Sequence, residues 1–274
     1  MDPKARNSID IDTLCHKAKE IRKHVVRMVA RHGQGYVQQG LGAADLFTVL
    51  YFSELHLDGN DLERDRCILS TAHNSAVFHA TLAVRGLIET SRLDSYCQDG
   101  SQLEINVSER MGASVEATCG SLGQGLSVAV GMALSARRRE SRARYHVILG
   151  DGEMQEGQVW EAAMCAASYS LDNLCLTIDM NNMQAEGHID SVLNMEPVAD
   201  KWTAFGWHTI SCDGNSIEAL MQAYDEARDV KEKPSVIIAG TLVGSGVPFL
   251  EGKLSHNMVL PKDVAEQALN FLEA

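Results

Sequence analysis

The segment from Tyr145 to Asp179 constrains the fold most, because two short apolar runs flank a helical stretch. The runs read YHVILG at 145–150 and LCLTID at 174–179, and each has the length and composition of a buried strand. Between them, residues 156–169 are rich in small residues and long enough for a helix. A strand, a helix and a strand in so few residues form a right-handed βαβ unit with parallel strands. We therefore predict an α/β fold, a doubly wound parallel sheet with helices on both faces.

The rest of the chain continues this alternation of helices and strands. The spacing of apolar residues predicts helices at 11–31, 43–55, 74–86, 121–139 and 217–229, and strands within 64–70 and 235–244. We expect a loop at 33–42, which is rich in Gly and Gln, and irregular structure at 89–118. Because no repeat or linker interrupts the pattern, we expect a single domain over residues 1–274, with about the first nine residues flexible.

The composition of the chain restricts its partners and its location. The 274 residues carry a formal net charge of −13, which argues against a nucleic-acid partner, because phosphate backbones are bound by basic surfaces. No apolar run approaches the roughly 20 residues that a membrane helix needs, and the polar start has no signal-peptide core. The seven cysteines include no C-x-x-C pair, and several lie in apolar stretches, as is typical of reduced thiols. We therefore expect a soluble protein of the cytoplasm.

Polar residues follow the two strands of the βαβ unit. The first strand ends in Gly150-Asp151-Gly152, and the second ends in Asp179-Met180-Asn181-Asn182. Ligands of open α/β sheets bind at the carboxyl ends of the strands. Carboxylate and amide oxygens suit a hard divalent cation, and flanking glycines let the backbone approach a diphosphate. Either segment alone reads more simply as a turn, but together they predict a metal–diphosphate site.

This arrangement resembles a known family of enzymes. A GDG followed about 30 residues later by an Asn pair is similar to the thiamine diphosphate motif. Three further segments resemble transketolases: RDRCILSTAHNSAVFHATL at 64–82, GSLGQGLSVAVGMALS at 120–135 and GDGEMQEGQVWEA at 150–162. The resemblance extends from about residue 20 to 258. It implies the fold of the diphosphate-binding, N-terminal part of a transketolase.

The resemblance implies a set of cofactor and metal contacts. Asp151, the side chain of Asn181 and the backbone carbonyl of Met183 would bind Mg²⁺, or another divalent cation such as Ca²⁺. The residues implied in thiamine diphosphate binding are His73, Gly120, Leu122, Gly123, Gly150, Asp151, Gly152, Glu153 and Asn181. Among these, the residues from Gly120 to Gly123 would approach the aminopyrimidine ring.

Three residues acquire catalytic roles from the resemblance, each beside a simpler alternative. His73 would reach the cofactor or the donor sugar, although a single histidine is often only a structural hydrogen bonder. His256 is the match to an active-site histidine near the C-terminus, in a loosely aligned segment. Glu156 would lie at a subunit interface and support a carboxylate of the partner, or it is a solvated acid at a helix N-terminus.

Departures from the family pattern affect the sugar channel. Ala72 replaces the glycine that usually precedes the histidine at position 73. Tyr36 occupies the position of an early channel histidine, since His32 is four residues too early, and residues 103–118 contain no histidine. The changes indicate either a non-standard substrate, such as branched apulose 4-phosphate or a sulfo-sugar, or weakened catalysis.

The resemblance also implies a partner. Transketolases transfer a two-carbon ketol unit from a ketose to an aldose, and the carboxylate that activates the cofactor lies on a pyrimidine-binding domain. The chain ends just after the diphosphate-type domain, so we expect a C-terminal partner subunit with two copies of each chain. Alternatives are the α subunit of a 2-oxo acid dehydrogenase and a non-catalytic cofactor-binding homologue. A generic nucleotide-binding protein is disfavoured, because no G-x-G-x-x-G or P-loop follows a strand.

Overall fold

The structure of the protein is a computed structural model that describes residues 9–33, 35–58, 60–253 and 259–273. The predicted flexibility of the chain start falls, except for Ile9, outside the described residues. His256 also lies outside them, so its catalytic role stays a prediction.

A parallel sheet of five strands forms the centre of the fold. Its strand order is β1-β2-β3-β7-β6, and β4 and β5 form a separate two-stranded hairpin. The strands are β1 (Arg66–Leu69), β2 (Tyr145–Gly150), β3 (Leu174–Met180), β4 (Met183–Gln184), β5 (Gly187–His188), β6 (His208–Asp213) and β7 (Ser235–Gly240). The register pairs Gly150 with Asp179, so β2 and β3 end side by side. The predicted βαβ unit is confirmed, whereas strand β6 was not predicted.

Helices account for most of the remaining chain. The α-helices are α1 (Ile11–His32), α2 (Val37–Gly42), α3 (Ala44–Val49), α4 (Ser75–Arg85), α5 (Gln124–Arg138), α6 (Gly157–Ser168), α7 (Ile189–Val192), α8 (Val198–Ala204), α9 (Ile217–Asp229) and α10 (Lys262–Glu273). Helix α3 continues into a wider π-helical turn at Leu50–Glu54, where one regular helix was expected. Residues 89–118 contain only short 3₁₀ turns among the helical elements, as expected for an irregular segment.

The prediction of a loop over 33–42 was wrong, because its second half forms α2. The glycines of this helix allow close packing and do not break it. A Cβ on Gly40 would lie 3.0 Å from Cγ1 of Val25 in α1, and one on Gly42 would lie 2.7 Å from the carbonyl oxygen of Leu242. Packing against neighbouring elements therefore overrides the weak helix propensity of glycine.

Two hydrophobic layers cover the two faces of the sheet. Successive strand residues point to opposite faces, so Ile148 packs with α1, α3, α4, α9 and α10, whereas Leu149 packs with α5, α6 and α8. Both layers are buried, which explains why the strands read as continuous apolar runs. The predicted doubly wound α/β architecture is confirmed.

All seven cysteines are free thiols. In the described ranges, no helix is both long enough and apolar enough to span a membrane.

Candidate functional site

Asp151 lies at the carboxyl end of β2 and connects the two strand ends. Its side chain is completely buried. One carboxylate oxygen accepts a hydrogen bond from the backbone N–H of Gly152 at 2.7 Å, and the other accepts one from the N–H of Asn182. The predicted proximity of the GDG turn and the Asn pair is therefore confirmed.

The two asparagines after β3 differ in their contacts and backbone conformation. Oδ1 of Asn181 accepts a hydrogen bond from the N–H of Met183 at 2.9 Å, and its side chain is buried close to the carboxylate of Asp179. Asn182 adopts a left-handed conformation with φ of 60°, which asparagine tolerates better than most residues. The second asparagine thus makes the turn after β3, and its backbone N–H is the group that binds the Asp151 carboxylate. The Met183 carbonyl as a metal ligand stays a prediction.

Asp179 is a second buried carboxylate, for which the sequence predicted no role. It accepts hydrogen bonds from Nδ2 of Asn74 at 2.9 Å and from the hydroxyl of Thr241. Burial raises the pKa of Asp179. Burial and the neighbouring Asp179 charge raise the pKa of Asp151 to about 7, against the opposing effect of the N–H groups of Asn182 and Gly152. Two adjacent buried acids of this kind are stabilised in their charged form by a bound cation.

A cavity of 420 Å³ opens beside these strand ends. It is lined by Tyr36, His73, Asn106, Gly120, Leu122, Gly152, Glu153, Gln155, Glu156, Met183, Gln184, Ala185 and Glu186. The structure thus brings together seven of the residues predicted from the sequence: His73, Gly120, Leu122, Gly152, Glu153, Glu156 and Met183. Asn181 lines an adjoining cavity of 790 Å³, to which Met183 also contributes.

The chemistry of the lining fits a diphosphate that is bound through a metal ion. Within the described residues, the 420 Å³ cavity is lined by three glutamates and by no Lys or Arg. A diphosphate would meet repulsion there unless a divalent cation bridged it to the protein. Asp151 and Asn181 supply oxygen atoms of the type that Mg²⁺ prefers. The residues present therefore fit thiamine diphosphate with a divalent metal.

Glu153 holds the glycine-rich turn before α5 in place. Its carboxylate is buried and accepts hydrogen bonds from the N–H of Gly123 at 2.8 Å, the N–H of Gly150 at 3.2 Å and the hydroxyl of Ser70. The Ser70 hydroxyl in turn accepts from the N–H of Gly125 at 3.1 Å. Glu153 therefore joins the ends of β1 and β2 to that turn, while its predicted contact with the cofactor stays a prediction.

His73 packs directly against the end of β2. Its Nδ1 lies 2.7 Å from Oγ1 of Thr71, and its Nε2 lies 3.9 Å from a carboxylate oxygen of Asp179. A Cβ on Gly150 would lie only 2.5 Å from Cε1 of the His73 ring. The glycine at position 150 is therefore required by the close approach of the imidazole.

We expect Gly150→Ala to displace the His73 ring, because the new methyl group would overlap it. The Cε1–H resonance of His73 in NMR spectra should shift clearly. Gly131→Ala in α5 is the matched control, since a Cβ there meets nothing within 4 Å. That control should leave the resonance in place and stabilise the helix by about 0.5–1 kcal/mol. An unchanged His73 resonance in Gly150→Ala would contradict the assigned contact.

Glu156 and Leu122 stand at the exposed mouth of the cavity. Leu122 is 42% exposed although it is a large apolar residue, and Glu156 is exposed as well. Gly123 has φ of 86°, and a Cβ there would lie 2.9 Å from Cβ of Glu156. The glycine turn and the first residues of α6 thus form one continuous surface. The position of Glu156 is compatible with an interface, and its role there stays a prediction.

Tyr36 and Asn106 both line the cavity, and both come from segments that lack a histidine of the family pattern. The Tyr36 ring meets the His73 ring edge-on, with centroids 6.3 Å apart. Asn106 lies next to Gly120, where a Cβ would come within 3.1 Å of the asparagine Cβ. Asn106 was not predicted as a lining residue, since the sequence marks segment 103–118 only by its missing histidine.

Comparison with known proteins assigns this site to a family. The family model "Transketolase, thiamine diphosphate binding domain" matches residues 15–269. The chain is 38% identical over 264 residues to the 6-deoxy-6-sulfo-D-fructose transketolase subunit SqwG of Clostridium sp. (strain MSTE9), covering 95% of this chain and 96% of the relative. It is 36% identical over 271 residues to a subunit of the apulose-4-phosphate transketolase of Actinobacillus succinogenes, covering 97% of this chain and 98% of the relative.

The solved structure of transketolase from Campylobacter jejuni has the same fold. It superposes with a TM-score of 0.90 at 29% identity, over 97% of this chain and 43% of that chain. The chain therefore spans nearly the full length of the relatives named as subunits and less than half of that transketolase chain. The interpretation as a transketolase, in preference to a 2-oxo acid dehydrogenase subunit, is confirmed. The chain belongs to the transketolase family and corresponds to its N-terminal, thiamine diphosphate-binding part.

Proposed function

We propose that the chain is the diphosphate-binding subunit of a two-chain transketolase. With a C-terminal partner that carries the pyrimidine-binding domain, it transfers a two-carbon ketol unit from a ketose to an aldose. The observation that carries the proposal is the buried Asp151 carboxylate, which accepts the N–H groups of Gly152 and Asn182 where β2 and β3 end side by side. The adjacent Gly152 lines a cavity that, among the described residues, contains three glutamates and no Lys or Arg. Relatives of the same length are themselves named as transketolase subunits.

The roles of the residues follow from their positions. Asp151, Asn181 and the Met183 carbonyl bind Mg²⁺, or another divalent cation such as Ca²⁺, and Gly150 and Gly152 let the diphosphate come close. Thiamine diphosphate, when bound, supplies the nucleophilic carbon that carries the two-carbon unit.

Other residues serve the cofactor ring, the sugar and the interface. Glu153 fixes the turn that includes Gly123 for the aminopyrimidine ring. His73 offers a ring nitrogen to the sugar hydroxyls, and His256 completes the channel. Glu156 supports the activating carboxylate of the partner at the exposed mouth of the cavity.

The substrate that we propose is a non-standard ketose. Tyr36, which occupies the position of the family's early channel histidine, lines the cavity together with Asn106 from segment 103–118, which lacks the later one. The phenol and the amide provide different hydrogen-bond donors and a different shape, so the lining favours a donor whose substituents differ from those of common ketose phosphates. The names of two relatives point in the same direction, to a sulfo-sugar and to a branched sugar phosphate.

We further infer that the chain is one thiamine diphosphate-binding domain that works in the cytoplasm. The free thiols support a reducing compartment, and burial raises the pKa of Cys67 and of Cys175 to about 12. Such buried thiols are protonated and inert at neutral pH.

Isolation of the tagged chain from its source cells tests the proposal. We expect a stoichiometric partner of comparable size with a pyrimidine-type α/β domain. The complex should turn over at least one ketose donor, and turnover should require thiamine diphosphate and Mg²⁺. A complex that binds the cofactor but turns over no sulfo-sugar, branched or common ketose phosphate would instead identify a non-catalytic homologue.

Restoring a histidine at position 36 is expected to change donor preference. In the complex, Tyr36→His should shift the ratio of kcat/KM between a common ketose phosphate and the preferred donor by about tenfold, equivalent to about 1.4 kcal/mol. Tyr36→Phe is the matched control, because it retains the ring edge against His73 and removes only the hydroxyl. If Tyr36→His leaves the ratio unchanged for every donor tested, the sugar channel does not pass residue 36.

A further inference from the structure

A separate cavity of 580 Å³ lies at the opposite end of the sheet from the candidate thiamine diphosphate site. Its floor consists of the residues that immediately precede three strands: Asp65 before β1, Arg144 before β2 and Asn173 before β3. The amino ends of the strands therefore face it, whereas the candidate thiamine diphosphate site lies at their carboxyl ends. None of its lining residues belongs to that site.

Whereas the whole protein has a formal net charge of −13, the lining of this cavity carries four basic and three acidic side chains. Its basic side chains are Arg142, Arg144, Arg228 and Lys231. Arg228 is neutralised, because it forms ion pairs with Glu54 and with Asp225. Arg142 and Arg144 form no ion pair with a carboxylate in the described part of the chain.

The hydrogen bonds of Arg144 leave its guanidinium incompletely satisfied. Nη1 and Nη2 lie 3.4 and 3.3 Å from the carbonyl oxygens of Asp172 and Ala227, which are long hydrogen bonds. Among the described residues, Nε is buried without a partner, as is Nε2 of His56 in the same lining. Arg142 and Arg144 are two residues apart at the start of β2, a spacing that places side chains on the same face of extended chain.

The lining also contains acidic residues, and each of them already accepts hydrogen bonds. The two carboxylate oxygens of Asp65 accept the backbone N–H groups of Arg144 at 2.8 Å and of His56 at 3.0 Å. Burial raises the pKa of Asp65, which disfavours its charged form. Asp172 accepts the N–H of Glu232 at 3.2 Å. Within the described residues neither acid forms an ion pair with Arg142 or Arg144, although the Asp65 carboxylate interacts electrostatically with Arg144.

We propose that this cavity binds a small phosphorylated molecule through Arg142 and Arg144. Guanidinium groups present paired N–H donors that match the oxygens of a phosphate group. The cavity volume lies in the range of small-molecule sites. Because the cavity is separated from the carboxyl ends of the strands by the length of the sheet, the ligand does not take part in the transketolase reaction. It acts as an effector or stabiliser of the chain.

Titration with inorganic phosphate, followed by the Nε–H resonance of Arg144 in NMR spectra, tests this proposal. Phosphate bound at the candidate cofactor site would lie at the other end of the sheet from Arg144. The Arg144 resonance therefore reports only on binding in the 580 Å³ cavity. We expect a saturable shift of the resonance and an affinity lowered by about tenfold in Arg142→Ala. Arg142 is exposed and its side chain makes no hydrogen bond within the described residues, so this variant should fold.

The matched control is Arg138→Ala, which removes the same charge from the exposed end of α5, outside the cavity lining. It should leave the phosphate affinity unchanged. An equal loss of affinity in both variants would show a general effect of net charge and overturn the proposal. A wild-type protein whose Arg144 resonance does not respond to phosphate would overturn it as well.

Discussion

Replacing Asp151 by alanine is expected to lower the affinity for thiamine diphosphate in the presence of Mg²⁺ by at least about a hundredfold. Loss of a residue behind a metal ligand already costs about 10–100-fold in metal affinity, and Asp151 is proposed to be a ligand itself. Among the described residues, the remaining lining contributes no Lys or Arg that could replace the bridging metal. Isothermal titration calorimetry with and without Mg²⁺ measures the effect.

The chain contains a matched control for this experiment. Asp65 is buried like Asp151, and its two carboxylate oxygens also accept two backbone N–H groups, but it lies at the other end of the sheet. Asp65→Ala, the same substitution, should therefore leave cofactor binding unchanged. Circular dichroism and chemical unfolding would verify that both variants are folded. Wild-type affinity in a folded Asp151→Ala protein would eliminate Asp151 as a metal ligand.

Replacing Asp45 by alanine is expected to lower the free energy of unfolding by about 3–5 kcal/mol, since it leaves a buried guanidinium without its counterion. Arg22 of α1 donates two hydrogen bonds to Asp45, at 3.0 and 2.5 Å, and each side chain of the pair is 9% exposed. Nε of Arg22 also donates hydrogen bonds to the carbonyl oxygens of Leu41 and Ser245. The pair thus joins the N-terminal helices to the segment after β7. Equilibrium unfolding in urea measures the loss.

An exposed ion pair between α1 and α10 provides the comparison. Arg27 and Glu273 are 3.3 Å apart, with side chains 47% and 54% exposed. Solvent screening should limit the effect of Glu273→Ala to about 1 kcal/mol or less. If both variants lost the same small amount, the Arg22–Asp45 pair would not stabilise the fold as its burial indicates.

The sequence predicted the fold well wherever the hydrophobic pattern was long and regular. The periodic apolar residues of α1 and α9 and the apolar runs of β2 and β3 are local properties of the chain, and those elements are confirmed. Strand β6 was missed because it is only half buried along its length and has a weak apolar pattern. Helix α2 was missed because its glycines are explained only by close packing, of Gly40 against α1 and of Gly42 against Leu242.

The candidate site was predicted in part for the same reason. Asp151 and Asn181 follow buried strands at the ends of one βαβ unit, so chain order alone placed them at one edge of the sheet. Asp179 could have been found, because residues two positions apart in a strand share a face and Asn181 was already singled out. Asn106 had no such signal, since irregular chain carries no periodicity that indicates the direction of a side chain.

By itself, the sequence determined the βαβ unit, the α/β class and the oxygen-rich strand ends, because these depend on neighbours along the chain. Only the tertiary structure decided how the site is held. Asn74 reaches Asp179 across 105 positions, and Glu153 reaches Ser70 across 83. The tertiary structure alone also brought Tyr36 against His73 and placed the basic side chains of the 580 Å³ cavity together at the far end of the sheet. Contacts of this kind form when distant elements pack together, and no local pattern of residues encodes them.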